Sequence, residues 1–146
     1  MTGSSSHISH GLSIGRFPDR AEMIPIRTSI VVNLSRTSHP VDLILDGIRV
    51  VHQPLTYWEI SEPWQLLERV RSDVKQELDR GERVFVHCRL GVDRSGLLAL
   101  AYLGAHLNSA VKAIDWYKKL RPNAPMPRND AMMVFQSWWE ARRCLD

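Results

Sequence analysis

The stretch from Arg83 to Leu107 constrains the fold more than any other part of this chain. It begins with a β-branched and aromatic run, Arg83-Val84-Phe85-Val86, passes through a segment with two glycines, His87–Gly96, and ends in an apolar run, Leu97–Leu107. The first run is typical of a buried strand and the last of a helix. The sequence therefore predicts a tight loop that joins the carboxyl end of a strand to the amino end of a helix.

Such a loop is suited to binding an anion. Its backbone N–H groups converge on one point, and the helix dipole adds roughly half a positive charge there. Cys88 and Arg94 stand in this loop with five residues between them. Thiols at helix amino ends ionise readily, with pKa values lowered to roughly 3.5–7.5, and a guanidinium binds two phosphoryl oxygens at once. We expect a nucleophile and an anion clamp that face one pocket.

Each of these two residues also has an ordinary structural explanation. A lone cysteine at the end of a buried strand is usually a small core residue, and an arginine near a helix start usually lies at the surface. The joint pattern is more specific, because histidine precedes Cys88, glycine stands at position 91, and Ser95-Gly96 opens an apolar helix. In its strand-loop-helix context this combination indicates a functional anion loop.

At these residues the chain resembles the cysteine-dependent protein tyrosine phosphatase superfamily, specifically its small dual-specificity branch. The match is H-C-x5-R-S at residues 87–95. Weaker similarity extends over nearly the whole chain, at residues 12–15, 30–34, 120–122 and 127–129. The resemblance implies hydrolysis of phosphomonoesters through a phosphocysteine intermediate.

The resemblance also implies a role for each residue of the loop. Cys88 corresponds to the nucleophile, Arg94 to the clamp of the transferring phosphoryl group, and Ser95 to the hydroxyl that helps the thiolate leave. His87 corresponds to a supporting residue that tunes the cysteine from behind. The phosphate-binding residues implied are Arg89, Leu90, Gly91, Val92, Asp93 and Arg94.

The general acid departs from the family pattern. In the family it is an aspartate on a loop that precedes the cysteine. The matching stretch here, residues 51–63, contains no aspartate, and Tyr57 or Thr56 stands at the usual place. The sequence therefore leaves the proton donor to be assigned among other residues.

Two carboxyl groups are the main candidates for this acid. Asp93 lies inside the anion loop, in a C-x-x-G-x-D-R pattern similar to that of the myotubularin lipid phosphatases, where an aspartate at this position has the acid role. Glu59 lies in a loop that could close over the pocket, and its arm is longer than that of an aspartate. We rank Asp93 ahead of Glu59. Glu62 is third, since it can simply favour the first turn of the helix that follows.

Hydrophobic periodicity predicts an α/β fold with a central, mostly parallel sheet of four to five strands flanked by helices. In such sheets the active crevice lies at the carboxyl ends of the strands, where Cys88 stands. We expect strands at residues 12–15 (an edge strand), 30–34, 48–51 and 83–88. We expect helices between Ser38 and Gly47, at 63–78, at 97–107, after a cap at Ser109, and after a cap at Asn129 or Asp130.

Length and composition predict the domain organisation and the cellular compartment. With 146 residues the chain is expected to be one catalytic domain, 1–146, with a flexible polar leader over 1–10. Its cysteines, Cys88 and Cys144, form no disulfide framework and favour a reducing compartment. The sequence shows no secretory signal and no apolar stretch long enough to span a bilayer. We therefore expect a cytoplasmic protein.

The expected partner is a phosphorylated protein or another phosphomonoester. A net charge of +3 is mild and predicts no specific nucleic acid partner, and no metal or cofactor is implied. The oligomeric state stays open. The alternatives are a phosphoinositide or RNA 5′-triphosphate phosphatase of the same fold, a non-catalytic phospho-ligand-binding pseudophosphatase, and, disfavoured by the motif, a rhodanese-like sulfurtransferase.

Overall fold

A five-stranded sheet forms the centre of the computed structural model, which describes residues 5–38 and 47–145. The strand order is β1-β2-β5-β3-β4, and only the β1–β2 pair is antiparallel. This confirms the predicted fold class. The strands are β1 (Ser5–Ser9), β2 (Leu12–Gly15), β3 (Ile30–Asn33), β4 (Arg49–His52) and β5 (Val84–His87).

Strand β5 lies in the middle of the sheet, and all four of its residues are buried. Its last residue, His87, pairs with Gly15 of β2 on one side and with Asn33 of β3 on the other. Because the three strands are parallel, their carboxyl ends meet at one edge of the sheet. Cys88 therefore leaves the sheet between two neighbouring strand ends.

Four α-helices surround the sheet within the described residues. They are α1 (Pro63–Asp79), α2 (Asp93–Leu107), α3 (Ala110–Leu120) and α4 (Asn129–Leu145). Two short 3₁₀ helices, Ala21–Met23 and Tyr57–Glu59, lie in the connections. No helix in these described stretches is both long and apolar enough to cross a membrane.

Helix α2 is the central helix of the core. Its residues from Ser95 to Gly104 are all buried, since the helix packs against α1, α3 and α4 as well as against the sheet. A Cβ atom on Gly104 would lie 3.0 Å from the Trp138 ring, so α4 approaches α2 closely at this point. The Trp138 indole N–H donates to Glu68 Oε1 of α1 at 2.8 Å. Helix α4 therefore packs closely on α2 near the carboxyl end of α2, and the same tryptophan ties α4 to α1.

Several element boundaries differ from those that the sequence predicts. Residues 5–9 are not a flexible leader, because they pair with β2 as the edge strand β1. The predicted edge strand 12–15 consequently lies inside the sheet. Asn129 and Asp130, the two predicted caps of α4, lie inside the helix rather than before it. The first helical hydrogen bond runs from Met132 N–H to Arg128 O at 2.9 Å. The helix predicted between Ser38 and Gly47 falls outside the described residues.

Helix α2 also begins earlier than its apolar run. It starts at Asp93 rather than at Leu97, so the second half of the predicted loop is already helical. Periodicity cannot detect this first turn, because its side chains, from Asp93 to Gly96, are polar or absent. Cys88 is consequently separated from the first helical residue by four loop residues.

The predicted cap of α3 is confirmed, and it gives a test of the fold. Ser109 Oγ accepts a hydrogen bond from Lys112 N–H at 3.1 Å. Replacing a capping serine by alanine costs about 1 kcal/mol. We expect Ser109→Ala to lower the free energy of unfolding by this amount in urea titrations. Ser137→Ala, at an exposed position within α4, is the control and should change stability by only a few tenths of a kcal/mol; equal losses would contradict the cap.

Candidate active site

The Cys88 sulfur faces the amino end of helix α2. Cys88 is 2% exposed, and Ser95 N–H is directed at its Sγ atom at 3.5 Å. Val92 occupies the N-cap position of α2, and no side chain caps this helix. Helix amino ends leave backbone donors without intrahelical partners. The arrangement therefore gives the thiol a neighbouring set of N–H donors and the positive end of a helix dipole.

Gly91 fits its place in the loop because it has no side chain. Its φ angle is +73°, a region that favours glycine. A Cβ atom there would lie 2.6 Å from Arg16 N and 2.6 Å from the Gly15 carbonyl carbon. The loop backbone thus packs directly on the chain that follows β2, and any larger residue would displace it.

The same segment after β2 holds the loop through hydrogen bonds. Phe17 N–H donates to Arg89 O at 3.0 Å, and Ser95 Oγ donates to Gly15 O at 3.4 Å. Both bonds join residues that are far apart in the sequence. The loop is therefore fixed by the sheet edge and not only by its own turns.

Arg121 supports the loop from the protein interior. It is 9% exposed, and its guanidinium donates to Gly91 O at 2.6 Å, to Tyr117 Oη at 3.1 Å and to Ser6 Oγ at 2.9 Å. These described partners are all uncharged. Sequence reasoning found Arg121 only within the Leu120-Arg121-Pro122 resemblance and gave it no role.

His87 lies behind the nucleophile, as expected for a supporting residue. It is fully buried, and its Nδ1 atom lies 3.2 Å from Cys88 O. Its ring stacks on Phe85 with centroids 5.8 Å apart and meets the edge of Phe17 at 4.8 Å. These contacts orient the imidazole, while its effect on the thiol stays a prediction.

Cys88 and Arg94 open into one pocket of about 440 Å³. The Arg94 guanidinium lies over the Trp58 ring, with its Cζ atom 5.6 Å from the ring centroid. Within the described part of the chain, Arg94 forms no ion pair with a carboxylate. Its donors are therefore free to bind an anion. The other lining residues are Tyr57, Trp58, Arg89, Leu90, Val92, Asp93, Pro125, Met126 and Arg128.

Asp93 lines this pocket, but its carboxylate is engaged with Arg128. Oδ1 accepts from the Arg128 backbone N–H at 2.8 Å, and Oδ2 lies 2.8 Å from Arg128 Nε. Coulombic attraction to Asp93 is the largest cause of a raised pKa at Arg128. Both oxygens of the Asp93 carboxylate are therefore occupied by Arg128.

Glu59 is not brought into the pocket. It forms an ion pair with Arg36, and it is absent from the described residues that line the cavity. The 3₁₀ helix Tyr57–Glu59 instead directs Tyr57 and Trp58 to the pocket. Of the two candidate acids, the structure therefore places only Asp93 beside Cys88 and Arg94.

Tyr57 is, with Thr56, one of the two residues predicted to stand where the resembled family has its acid. It is 4% exposed, and its hydroxyl donates to Asp130 Oδ1 at 3.2 Å. Burial, followed by the nearby charges of Asp130 and Asp93, raises the pKa of Tyr57 to about 12. The phenol consequently stays protonated at neutral pH, with its hydrogen directed to Asp130.

Two further observations concern metals and thiols. Within residues 5–38 and 47–145, no group of three or more His, Cys, Asp or Glu side chains could hold a metal ion. Both cysteines are free, Cys88 buried and Cys144 exposed near the end of α4.

Comparison with known sequences places these features in a family. Residues 20–137 match the family model described as dual specificity phosphatase, catalytic domain. Two curated relatives are dual specificity protein phosphatase 18 of Bos taurus, 29% identical over 82% of this chain, and dual specificity protein phosphatase 21 of Homo sapiens, 33% identical over 66% of it. The aligned regions cover 61% and 50% of those proteins, so the chain spans about half to three fifths of their length.

Comparison with solved structures supports the fold. The crystal structure of human DUSP28 superposes with a TM-score of 0.78 and 20% sequence identity, covering 98% of this chain and 97% of that one. At this identity the likeness concerns the fold alone. It extends the match beyond residues 20–137 to nearly the whole chain.

The contacts of Arg121 predict a role in holding the loop. In Arg121→Met the Gly91 carbonyl loses its donor, and a hydrogen bond from a charged group is worth about 1.5–3 kcal/mol. We expect the inhibition constant of inorganic phosphate, measured against hydrolysis of p-nitrophenyl phosphate, to rise about tenfold or more in this variant. Arg121→Lys should restore part of the loss.

A control separates this effect from lost stability. Ser109→Ala removes a helix cap away from the loop and should leave phosphate inhibition unchanged while lowering stability. If Arg121→Met and Ser109→Ala affected phosphate inhibition equally, the positioning role of Arg121 would be wrong.

Proposed function

The chain belongs to the dual-specificity phosphatase family, and we propose that it hydrolyses phosphate monoesters of proteins through a phosphocysteine intermediate. The observation that carries this proposal is the shared pocket of Cys88 and Arg94 at the amino end of α2. A pure phospho-ligand binder needs the anion clamp but has no use for a thiol nucleophile. The intact Cys88, Arg94 and Ser95 therefore favour an enzyme over a pseudophosphatase.

In the first proposed step, the Cys88 thiolate attacks phosphorus in line with the leaving oxygen. The S–P bond forms while the P–O bond breaks, and the leaving oxygen takes the electron pair of that bond. Arg94 and the loop N–H groups bind the equatorial oxygens, where charge is concentrated. Residues 89–93 supply the loop backbone, and Arg121 holds it in place.

In the second proposed step, water attacks the phosphocysteine and the thiolate leaves. Ser95 is placed to assist, because its N–H already points to Cys88 Sγ and its hydroxyl lies in the same buried site. We assign Asp93 to this step as the base that accepts the proton of the water, since it is the one carboxylate among the described residues that line the pocket. The acid role in the first step, for which the sequence ranks Asp93 ahead of Glu59, stays a prediction.

Hydrolysis of p-nitrophenyl phosphate tests the nucleophile. The leaving p-nitrophenolate needs little protonation, so the assay does not depend on the acid. We expect Cys88→Ser to abolish release of p-nitrophenol. Cys144→Ser, which removes the exposed thiol of α4, is the matched control and should retain the full rate. Release that persists in Cys88→Ser, or no release by the unaltered protein, would overturn the proposal.

A second substitution tests the clamp. Lysine keeps the charge of Arg94 but cannot bind two oxygens in a plane. Because loss of one transition-state donor costs about 10²–10³ in kcat, we expect Arg94→Lys to lower kcat/KM for p-nitrophenyl phosphate by a similar factor. Arg143→Lys, at an exposed position of α4, should have no effect. An Arg94→Lys rate within threefold of the unaltered protein would remove Arg94 from the clamp.

A further inference from the structure

We infer that this enzyme is selective for aryl phosphates, and so for phosphotyrosine over phosphoserine and phosphothreonine. The inference rests on the proposed phosphatase function and narrows its substrate class. Two separate features of the pocket carry it: Asp93, Glu59 and Asp130 are each held by other groups of the described chain, and an aromatic wall stands beside Arg94.

The carboxylates around the pocket are occupied by other groups. Asp93 is bound by Arg128 through two contacts, and Glu59 is paired with Arg36. Asp130 accepts from the Tyr57 hydroxyl and from Ala131 N–H. Among the described residues that line the pocket, Asp93 is the only carboxylate. In this arrangement each of these three carboxylates is occupied by other groups of the protein, so none of them is free to protonate a leaving oxygen.

The missing donor affects the two substrate classes unequally. A positioned acid typically contributes 10²–10⁴-fold to rate, and its contribution matters most for a strongly basic leaving group. The phenol of tyrosine has a pKa of about 10, and it can depart as a phenolate. An aliphatic alkoxide is far more basic, closer to hydroxide, for which the conjugate acid has a pKa of about 15.7. Aryl esters consequently lose much less when protonation is absent.

Tyr57 does not remove this difference. Its pKa of about 12 lies below that of an aliphatic alcohol, so acidity alone would let Tyr57 protonate an alkoxide. Its hydroxyl hydrogen, however, is directed to Asp130 and away from a leaving oxygen. Removing the Tyr57 hydroxyl is therefore expected to leave the turnover of aryl phosphates largely unchanged.

The aromatic wall is the side chain of Trp58. It is 53% exposed, although tryptophan usually hides more of its surface, and it lines the pocket that contains Cys88. Two guanidinium groups approach its ring, Arg94 at 5.6 Å and Arg36 at 5.9 Å from the centroid. These contacts hold the ring in place where it lines the pocket. A phenyl ring entering the pocket could therefore stack on Trp58.

Exposed apolar residues extend this surface. Leu90 is 79% exposed and lines the same pocket, as do Met126 and Pro125. A phenyl group bound there would bury apolar area that the methylene of phosphoserine cannot reach. Stacking on an aromatic side chain is worth up to about tenfold in affinity. Binding to the aromatic wall would thus favour phosphotyrosine over phosphoserine, in addition to the leaving-group effect.

The test compares two peptides that are identical except for phosphotyrosine or phosphoserine at one position. The ratio to measure is that of their kcat/KM values. It covers the steps up to formation of the phosphocysteine, so a slow second step common to both peptides cannot hide the leaving-group effect. We expect phosphotyrosine to be favoured by about 10² or more, as loss of acid assistance implies. A ratio within tenfold would overturn the inference.

Two tryptophan variants test the wall. Trp58→Ala also removes a contact of Arg94, which would affect both peptides alike, so we expect KM to rise about tenfold more for the phosphotyrosine peptide than for the phosphoserine peptide. Trp58→Phe should retain the aryl preference. Trp116→Ala is the matched control, since this α3 tryptophan is 48% exposed and lies under Lys119 at 5.9 Å. Equal losses on both peptides in Trp58→Ala would contradict the wall.

Failure of the inference can be told apart from failure of the proposed function. If both peptides are hydrolysed at similar rates and Cys88→Ser abolishes both, the phosphatase assignment stands and the selectivity is wrong. If Tyr57→Phe then selectively slows the phosphoserine peptide, Tyr57 is the missing acid. If neither peptide nor p-nitrophenyl phosphate is turned over, the proposed function itself fails.

Discussion

The close approach of Gly91 to the backbone of Gly15 and Arg16 is the contact on which the rest of the site depends. It brings the loop against the carboxyl end of β2, directly beside β5, and it leaves no room for a Cβ atom. With the loop fixed there, Cys88 stays at the end of β5 and the first turn of α2 points at its sulfur. A loop that lay even a little farther out would lose this alignment, since hydrogen bonds weaken steeply with distance and angle.

Charge is arranged in two layers around this loop. Behind it, the buried Arg121 binds Gly91 O and has only uncharged partners among the described residues, so its positive charge is not cancelled by a neighbouring carboxylate. In front of it, Arg94 has no ion pair within residues 5–38 and 47–145, whereas Arg128 is paired with Asp93. The site therefore attracts an anion at the centre of the loop, and the one carboxylate among the described lining residues is held by Arg128. This arrangement of charges is set by the fold, and both the proposed binding of the phosphoryl group and the proposed preference for phosphotyrosine depend on it.

The sequence predicted the parts of the site that are local. The order strand, Cys88, loop, Arg94, helix is contained in residues 83–107, about one sixth of the chain, and each part has a recognisable residue pattern. The contacts of Arg121 with Ser6 and Gly91 join residues 115 and 30 positions apart, which no periodicity reveals. The pairing of Asp93 with Arg128 is likewise a tertiary contact, which joins residues 35 positions apart. The role of Trp58 could not be predicted, because a single aromatic residue in a loop belongs to no periodic pattern or motif.

Trapping the covalent intermediate tests the central claim most directly. The protein would be mixed with a ³²P-labelled phosphotyrosine peptide, denatured within milliseconds, digested and analysed by mass spectrometry. The account predicts label on the peptide that contains Cys88, rising before phosphate is released and absent in Cys88→Ser. Turnover that proceeds without label on Cys88, or with label on another residue, would contradict a phosphocysteine mechanism in this loop.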